Sequence, residues 1–155
     1  MPLMRPTLAR CMLAVLLATL AAPVIAHAAL GDDLTSVEAD RAHLRGALRV
    51  TSAARYAVHE IALDSGAVVR EYVAPSGTVF AVTWSSAWPP DLRQLLGGYF
   101  ERFSRAMAAR GVARRPPSIR DGALVVEFGG RPRAFVGRAY LTDQMPADVG
   151  VGTLR

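Results

Sequence analysis

The stretch "YAVHEIALDSGAVVREYVAPSGTVFAVTW", residues 56–84, decides the fold of this chain. It contains three runs that are rich in aromatic and β-branched residues, and such runs favour β-strands. The turn signals "DSG" at 64–66 and "PSG" at 75–77 separate the three runs. Because loops this short join only antiparallel neighbours, the stretch predicts a three-stranded meander.

A long amphipathic helix is predicted directly after the meander, over residues 91–110. Pro90 and Asp91 suit a helix start, since proline is tolerated in the first turn and an acid there favours the helix dipole. Apolar residues then recur at helical spacing and form one stripe: Leu92, Leu95, Leu96, Tyr99, Phe100, Phe103 and Met107. The pair Gly97–Gly98 interrupts the helix, and close approach of another backbone would explain it better than a functional hinge.

The segments on either side of these elements predict the rest of an α+β fold. Thr35 and Glu38 have the spacing of a capping box, so a short N-terminal helix is expected. "ALRVT" at 47–51 is a candidate strand. "ALVVEF" at 123–128 and "RAFVGRAYL" at 133–141 form a second hairpin around "GGRP".

The domain organisation follows from these elements. We predict a single α+β domain over residues 29–141, in which an antiparallel meander sheet of about five strands packs against the long helix. Residues 142–155 show no hydrophobic period, so they are predicted to form a loose C-terminal tail. A chain of this length provides one modest hydrophobic core and not two.

The first 28 residues are predicted to be a secretory signal peptide. Arg5 and Arg10 precede an apolar run at 11–26, and Ala26 and Ala28 give the small-residue pattern of a cleavage site. The run is too short for a comfortable membrane span, so no span is expected after cleavage. An uncut N-terminal anchor is the alternative. We therefore expect an exported protein, periplasmic or extracellular.

The amino-acid composition argues against two functions of the mature chain, nucleic-acid binding and thiol chemistry. The chain has 18 basic and 13 acidic residues, and every basic one is an arginine. This small excess of positive charge does not indicate nucleic-acid binding, so no nucleic-acid partner is expected. The one cysteine, Cys11, lies in the predicted signal peptide. The mature chain therefore forms no disulfide and offers no thiolate.

His59 and Glu60 look like the start of a zinc-protease helix motif, but the strand pattern argues against that interpretation. The motif needs a second histidine four residues after the first, where this chain has Leu63. Neighbouring residues on a strand point to opposite faces, so His59 and Glu60 cannot converge on one metal ion. His43 and His59 could still form a metal site together with a carboxylate, but their spacing in the sequence does not indicate one. We therefore predict neither a metal site nor a cofactor.

The first hairpin brings four polar residues to one level of the sheet. If the hairpin closes about "DSG", His59 and Glu60 come near Arg70 and Glu71. A cross-strand ion pair between Glu60 and Arg70 is one interpretation, worth about 1 kcal/mol or less on an exposed face. A small polar binding site formed by the four side chains is the other.

"TWSSAWPPD", residues 83–91, is a candidate binding loop. Trp84 and Trp88 flank small residues and lead into two prolines. Aromatic side chains beside prolines can form a ledge for sugars or extended peptides. Alternatively, Trp84 ends a strand in the core and Trp88 covers the start of the helix.

Arginines cluster in and after the linker "VARRPPSIR", residues 112–120. Arg114, Arg115 and Arg120, with Arg131 and Arg133 from the second hairpin, could face an anionic envelope polymer. A solvated linker is the alternative.

No pattern of nucleophilic catalysis occurs in the sequence. The serines lie in turns or at helix starts, and none occupies a G-x-S-x-G elbow, so no catalytic residue is assigned. A carboxylate pair that cleaves glycosidic bonds has no fixed sequence spacing. We therefore expect a protein without enzymatic activity, and a small hydrolase acting on envelope polymers is the alternative.

Four segments occur in an order that resembles one known family: "SVEADRAHLRG", "YAVHEIALDSGAVVREYVAPSGTVFAVTW", "PDLRQLLGGYF" and "RAFVGRAYL". The chain resembles a proteobacterial family of exported proteins that is catalogued as domain of unknown function 2844. The resemblance covers nearly all of the mature chain and implies export, a single small domain and no assigned activity. We expect a periplasmic binding or accessory factor for an envelope or secretion system, with an envelope protein or an anionic envelope polymer as partner.

Overall fold

The structure is a computed structural model that describes residues 30–109 and 118–155. The predicted signal peptide lies outside the described residues, and so do Arg114 and Arg115 of the linker. The described residues form an α+β fold in which all neighbouring strands are antiparallel.

One sheet of seven strands forms the centre of the fold, in the order β1-β2-β3-β4-β7-β6-β5. The strands are β1 Ala47–Ser52, β2 Ala57–Ala62, β3 Val68–Val73, β4 Val79–Ser86, β5 Ser118–Asp121, β6 Leu124–Arg131 and β7 Ala134–Leu141. The predicted meander is confirmed as β2, β3 and β4, because the turns at "DSG" and "PSG" close hairpins in the expected register.

The sheet is larger than the predicted five strands. Ser118–Asp121 forms a strand that the sequence pattern does not predict, and it pairs with β6 from Ser118 opposite Glu127 to Asp121 opposite Leu124. Four residues are too few to display a clear alternation of apolar and polar side chains. Ile119 is its one fully buried residue, and it anchors the strand in the core.

The prediction of one continuous helix over residues 91–110 is wrong, because the segment is divided into two helices. Helix α2, Leu92–Leu96, is followed by a 3-10 turn at Gly97–Tyr99 and then by helix α3, Phe100–Ala109. Gly97 adopts φ 45° and ψ −122°, a conformation that is open to glycine and strained for other residues. Close approach of a backbone does not explain Gly98, since a Cβ there would meet nothing within 4 Å.

The N-terminal helix α1, Leu34–Leu44, begins before Thr35, the residue that was predicted to cap it. Asp33 caps it, and the Asp33 carboxylate accepts a hydrogen bond from the main-chain N–H of Thr35 at 2.9 Å. The predicted capping box of Thr35 and Glu38 is therefore replaced by an aspartate cap. The helix ends at Arg45, whose φ of 51° is left-handed.

The helices cover one side of the sheet, which we call the helix face. Its buried side chains come from alternate positions of the strands and from the helices, and they form one hydrophobic cluster. Members of the cluster are Ile61, Val69, Val82, Trp84, Leu95, Leu96, Phe103, Ile119, Leu124, Val126 and Leu141. The period-two alternation of the sequence therefore places one row of each strand beneath the helices.

The C-terminal segment, residues 142–155, covers part of the opposite side, and we call it the strap. The prediction of a loose tail is wrong here, because the segment packs on the sheet. Leu154 is buried in a second cluster with Tyr72, Phe80 and Tyr140. The tail has no regular period because its apolar residues lie in turns and a single 3-10 turn, where no repeat is required.

Hydrogen bonds hold the strap to the side of the sheet beneath it, the strap face. The main-chain oxygen of Arg155 accepts from the Tyr72 hydroxyl at 2.9 Å, from Thr83 at 3.2 Å and from Arg70 at 3.3 Å. Arg138 donates to the main-chain oxygen of Val151 at 2.9 Å. The polar main chain of the strap is thus satisfied by side chains of the sheet.

Candidate functional site

Trp84 and Trp88 lie close together in the chain but in different surroundings. Trp84, on β4, points to the helix face and is buried against Phe128, with ring centroids 6.1 Å apart. Trp88 lies beyond the end of the strand, and 69% of its surface is exposed. The prediction that Trp84 belongs to the core is confirmed. The prediction that Trp88 covers the start of the helix is not, because most of its surface is exposed.

A groove of about 210 Å³ lies beside the two tryptophans, and we call it the Trp–Pro groove. It runs between the end of α1, the β2–β3 hairpin and the segment that leads from β4 to α2. Its apolar lining is Leu44, Leu63, Val68, Val69, Trp84, Trp88, Pro89, Pro90 and Leu95. An exposed indole beside a concave apolar surface is the most prominent binding feature of this face.

The polar groups at the groove are largely used within the fold. The Asp91 carboxylate caps α2 and accepts from the main-chain N–H groups of Arg93 at 2.9 Å and Gln94 at 3.3 Å. The side chain of Gln94 donates to Asp40 in the interior. His43, Ser65, Ser85 and Ser86 are further polar residues that line the groove, and the Ser86 hydroxyl donates to the main-chain oxygen of Trp88. The groove therefore offers shape and apolar area more than free hydrogen-bonding groups.

The two prolines also border a second cavity of about 360 Å³. Pro89 and Pro90 line both cavities, so the proline segment forms a ridge between them. The second cavity is also lined by Phe128, Phe135 and Arg131. Together the two cavities make this end of the molecule an extended and largely apolar surface.

Two carboxyl groups are buried under the helices. Asp40 of α1 and Glu71 of β3 are both fully inaccessible to solvent, and their side chains are hydrogen-bonded to each other. Apart from that contact, no described group reaches the Glu71 carboxyl oxygens. The amide of Gln94 donates to the other side of Asp40. The three residues join α1, the sheet and α2 through one polar cluster.

Burial sets the protonation of this pair. Burial, together with the hydrogen bond and the charge of Asp40, raises the pKa of Glu71 from 4.5 to about 9. Glu71 therefore carries a proton at neutral pH and can donate it to the Asp40 carboxylate. A shared proton satisfies two carboxyls that could not both be charged in an apolar site.

His59 lies on the same face, directly opposite Glu71 in the register of β2 and β3. Burial lowers the pKa of His59, and the charge of Glu38 only partly offsets this effect. Its Nδ1 atom is buried and has no hydrogen-bond partner among the described residues. His59 is therefore a half-buried histidine at the edge of the core.

Glu60 and Arg70 occupy the strap face. They lie opposite each other, and the Nε of Arg70 donates to the Glu60 carboxylate at 2.6 Å. The predicted cross-strand ion pair is thereby confirmed. The strand geometry also sends His59 and Glu60 to opposite faces, as the alternation of the sequence predicted.

The six candidate residues are thus divided among three places. His59 and Glu71 lie under the helices, Glu60 and Arg70 lie on the strap face, and the two tryptophans lie at the groove. The four polar residues of the first hairpin do not form one small site, because the sheet separates them into pairs. In residues 30–109 and 118–155, no group of three or more acidic, histidine or cysteine side chains is placed to hold a metal ion.

A polar row crosses the strap face and was not foreseen. One residue from each of six neighbouring strands pairs in register, and the members in order are Arg49, Glu60, Arg70, Thr83, Arg138 and Glu127. The Nε of Arg138 donates to Glu127 at 2.6 Å, as Arg70 does to Glu60. Only the strand order of the folded sheet brings the two hairpins together, so no local sequence signal indicated this row.

Asp40 as the partner of Glu71, and Gln94 as the partner of Asp40, were also missed. A signal was present, because Glu71 shares its strand parity with Val69 and Val73, which are both buried. A carboxyl at a buried position requires a partner. That partner, Asp40, lies on helix α1, which is distant in the chain. The sequence could therefore indicate that Glu71 needs a partner, but not which residue it is.

A family model described as "Protein of unknown function (DUF2844)" matches residues 26–154. The chain belongs to this family. The DUF2844 match includes every strand and helix described above and all but the last residue of the strap. The resemblance seen in the sequence is thereby confirmed.

The DUF2844 match also includes the Trp–Pro groove and the polar row. No curated protein and no solved structure matches the chain. Within residues 30–109 and 118–155, no helix is long and apolar enough to cross a membrane.

Proposed function

We propose that this protein is an exported, non-enzymatic binding or accessory factor of the cell envelope that holds an extended peptide segment at the Trp–Pro groove. The observation that carries the proposal is Trp88, whose indole is 69% exposed beside a concave apolar surface. Tryptophan combines a large apolar area with one N–H donor, and it is enriched at the centres of binding interfaces.

The dimensions of the groove favour an apolar side chain as its occupant. A cavity of about 150 Å³ suffices to bind benzene, so the 210 Å³ of the groove has room for an aromatic or a large aliphatic side chain. The neighbouring cavity across the proline ridge could receive a second side chain of the same segment. An extended peptide supplies side chains at such regular intervals.

The engaged polar groups favour a peptide over a glycan. Asp91 caps α2 and Gln94 binds Asp40, so neither is free to hydrogen-bond a ring of hydroxyls. A sugar that stacked on Trp88 would leave many of its polar groups without protein partners. An apolar side chain makes no such demand, and it gains from the area that it buries.

The signal-like pattern of residues 1–28 supports export, and the absence of a free thiol from the predicted mature chain suits an oxidising compartment. The described residues contain no helix that could cross a membrane. These observations support a role outside the cytoplasm, in the periplasm or beyond the cell.

A hydrolase acting on envelope polymers was the alternative from the sequence. Of the four cavities described, none is lined by two carboxylates. The Asp91 carboxylate at the groove is engaged as a helix cap. The buried pair of Asp40 and Glu71 is inaccessible to a polymer. The binding role is therefore the proposal that the geometry supports better.

The test uses the tryptophans themselves, since the chain has only Trp84 and Trp88. The cleaved protein is screened against a library of extended octapeptides rich in proline and aromatic residues, and its emission is recorded. A peptide seated on Trp88 should shift the emission to the blue, because it removes the indole from water. A Trp88→Ala variant should lose about tenfold or more in affinity while it melts like the parent chain.

Val50→Ala is the matched control, since Val50 is half exposed on β1 and lies away from the groove. It should bind the selected peptides as the parent chain does. Equal affinity of the parent and Trp88→Ala chains would overturn the proposal. Binding of glycans in place of peptides, with the same dependence on Trp88, would keep the groove as a site but reject the peptide.

A further inference from the structure

The second cavity beside the proline ridge combines apolar walls with one positive charge. Among the described residues, Arg131 is the one charged residue that lines it. The nearest carboxylate in sequence to the ridge, that of Asp91, is bound to main-chain N–H groups as the cap of α2. The apolar walls are formed by the two prolines of the ridge and by Trp84, Leu92, Phe128, Pro132, Phe135 and Val136.

The guanidinium groups of Arg131 and Arg133 are both available to a ligand. The two residues are exposed, and in the part of the chain that the structure describes neither side chain makes a hydrogen bond or an ion pair. Arg70 and Arg138 of the polar row differ in this respect, because each is paired with a glutamate at 2.6 Å. A guanidinium group without a protein partner keeps its N–H donors for an anion.

A tight turn holds the two arginines in place. Strands β6 and β7 remain paired up to Arg131 opposite Ala134, so Pro132 and Arg133 alone form the loop between them. Proline at the first loop position and a positive φ at the second, here 66° at Arg133, are features of a type II turn. Gly130 has φ 89°, and a Cβ there would clash with the main-chain oxygen of Ala134. The main chain of the turn therefore has little freedom to lose on binding.

Arg133 occupies a backbone conformation in which glycine or asparagine is more usual. Its φ of 66° is left-handed, and an ordinary side chain is less stable there than glycine. Residues that hold an unfavourable backbone conformation cluster at binding sites. A use of the guanidinium group therefore accounts for this arginine better than the stability of the turn does.

We propose that the peptide bound at this surface carries an acidic residue next to its apolar ones, and that Arg131 and Arg133 bind its carboxylate. The inference rests on the proposed peptide-binding role of the Trp–Pro groove, and it names the class of peptide. Pro89 and Pro90 line both cavities, so a peptide that crosses the ridge places one apolar side chain in each. The acidic residue follows at the β6–β7 turn, where a guanidinium fork matches a carboxylate.

The concave shape of the surface favours a peptide over an anionic membrane. Exposed tryptophan and free arginines also occur where proteins lie on a lipid surface. Such a surface buries protruding apolar side chains in the bilayer. Here the apolar area lines two cavities of about 210 and 360 Å³, which single side chains of a peptide can enter.

The experiment compares two libraries of octapeptides with blocked termini. In the first, two phenylalanines separated by one residue are preceded or followed by a pair of aspartates, and in the second asparagines replace the aspartates. Binding to the cleaved protein is measured by its tryptophan emission at low salt. The aspartate peptides should bind about fivefold more tightly than their asparagine counterparts. The difference should vanish in about 1 M salt, where the Debye length is about 3 Å.

Arg131→Gln and Arg133→Asn test the two guanidinium groups. Each should weaken the binding of the aspartate peptides about twofold to threefold, and each should leave the asparagine peptides unchanged. Arg133→Asn should also melt no lower than the parent chain, because asparagine tolerates the left-handed conformation. Weaker binding by a variant of undiminished stability separates the role of this side chain in binding from any role in folding.

Arg49→Gln is the matched control, since Arg49 is exposed on the edge strand β1 and lines neither cavity. It should bind both libraries as the parent chain does. An equal loss in Arg49→Gln and Arg131→Gln would reduce the effect to overall charge and overturn the inference.

Three further outcomes separate this inference from the proposed function. Equal binding of both libraries, with the same dependence on Trp88, would overturn the acidic preference and leave the groove as a peptide site. Binding of neither library would overturn both proposals. Vesicles of phosphatidylglycerol that bind through Arg131, while the two libraries bind equally, would assign the arginines to a membrane surface and also overturn the inference.

Discussion

Asp40 of helix α1 and Glu71 of strand β3 are hydrogen-bonded to each other in the interior, and neither is accessible to solvent. Gln94 of α2 donates to Asp40 from the other side. The contact joins the first helix to the centre of the sheet, so its protonation bears on how firmly α1 is held. His59 lies beside Glu71 on the neighbouring strand.

The stability of the protein should fall as the pH rises through neutrality. Glu71 keeps its proton in the folded state up to about pH 9, whereas an ordinary glutamate loses it near 4.5. Between these values the unfolded state binds fewer protons than the folded state, so the free energy of unfolding falls with rising pH. Glu71→Gln should remove this slope and raise the melting temperature at pH 8 by several degrees.

Glu60→Gln is the control for that experiment, because Glu60 lies on the opposite face in a partly exposed pair with Arg70. It should leave the slope of the parent chain intact. Melting curves of the three chains between pH 5 and pH 9 give the answer. A slope that survives in Glu71→Gln would contradict the assignment of the proton to this pair.

The strap should contribute to stability as a core element does. Leu154→Ala removes a buried side chain from the cluster with Tyr72, Phe80 and Tyr140, and it should cost roughly 2 to 5 kcal/mol. Leu34→Ala, at a residue that is 45% exposed, should cost far less. Urea unfolding measures both. Equal and small losses would mean that the strap is loose in solution, as the sequence analysis predicted.

The break between α2 and α3 should depend on one glycine of the pair and not on the other. Gly97→Ala places a Cβ at φ 45° and ψ −122°, which costs roughly 1 to 3 kcal/mol in a strained conformation. Gly98→Ala meets no atom within 4 Å, so it should be neutral or stabilise the protein by up to about 1 kcal/mol. Thermal unfolding of the two variants distinguishes them. Similar effects would contradict the described backbone.

Trp84 should tolerate no side chain opposite it on β7. A Cβ on Gly137 would clash with the Trp84 ring and would lie 2.7 Å from the main-chain oxygen of Glu127. Gly137→Ala should therefore destabilise by roughly 1 to 3 kcal/mol. Gly129→Ala, whose Cβ would be 3.3 Å from Val136, should cost less. The emission of Trp84 in a Trp88→Phe background reports whether the ring has moved.

The parts of the fold that depend on neighbours in the chain could be predicted from the sequence. The "DSG" and "PSG" turns set the register of β2, β3 and β4, and with it the pairing of Glu60 with Arg70. The opposite orientation of His59 and Glu60 followed from the same alternation. Local geometry fixes these features, so the pattern of residues is sufficient.

The missed features depend on packing between distant segments. Asp40, Gln94 and Glu71 meet only when α1 and α2 lie on the sheet. The strap is held by main-chain oxygens at Val151 and Arg155, and main-chain groups leave no trace in composition. The break at Gly97 could be suspected, but the apolar stripe continues through it and favours an unbroken helix.

The strand order has a consequence for how the chain reaches its native state. Strands β1 to β4 pair in sequence order, and so do β5 to β7, which makes two units of low contact order. Among the strands of residues 30–109 and 118–155, only the ladder between β4 and β7 joins the two units, from Ala81 opposite Tyr140 to Ser86 opposite Phe135. Closing that long loop carries the largest entropic cost, so we expect this ladder to limit the folding rate. Until it forms, β4 and β7 are exposed edges through which two chains could exchange halves and form a swapped dimer.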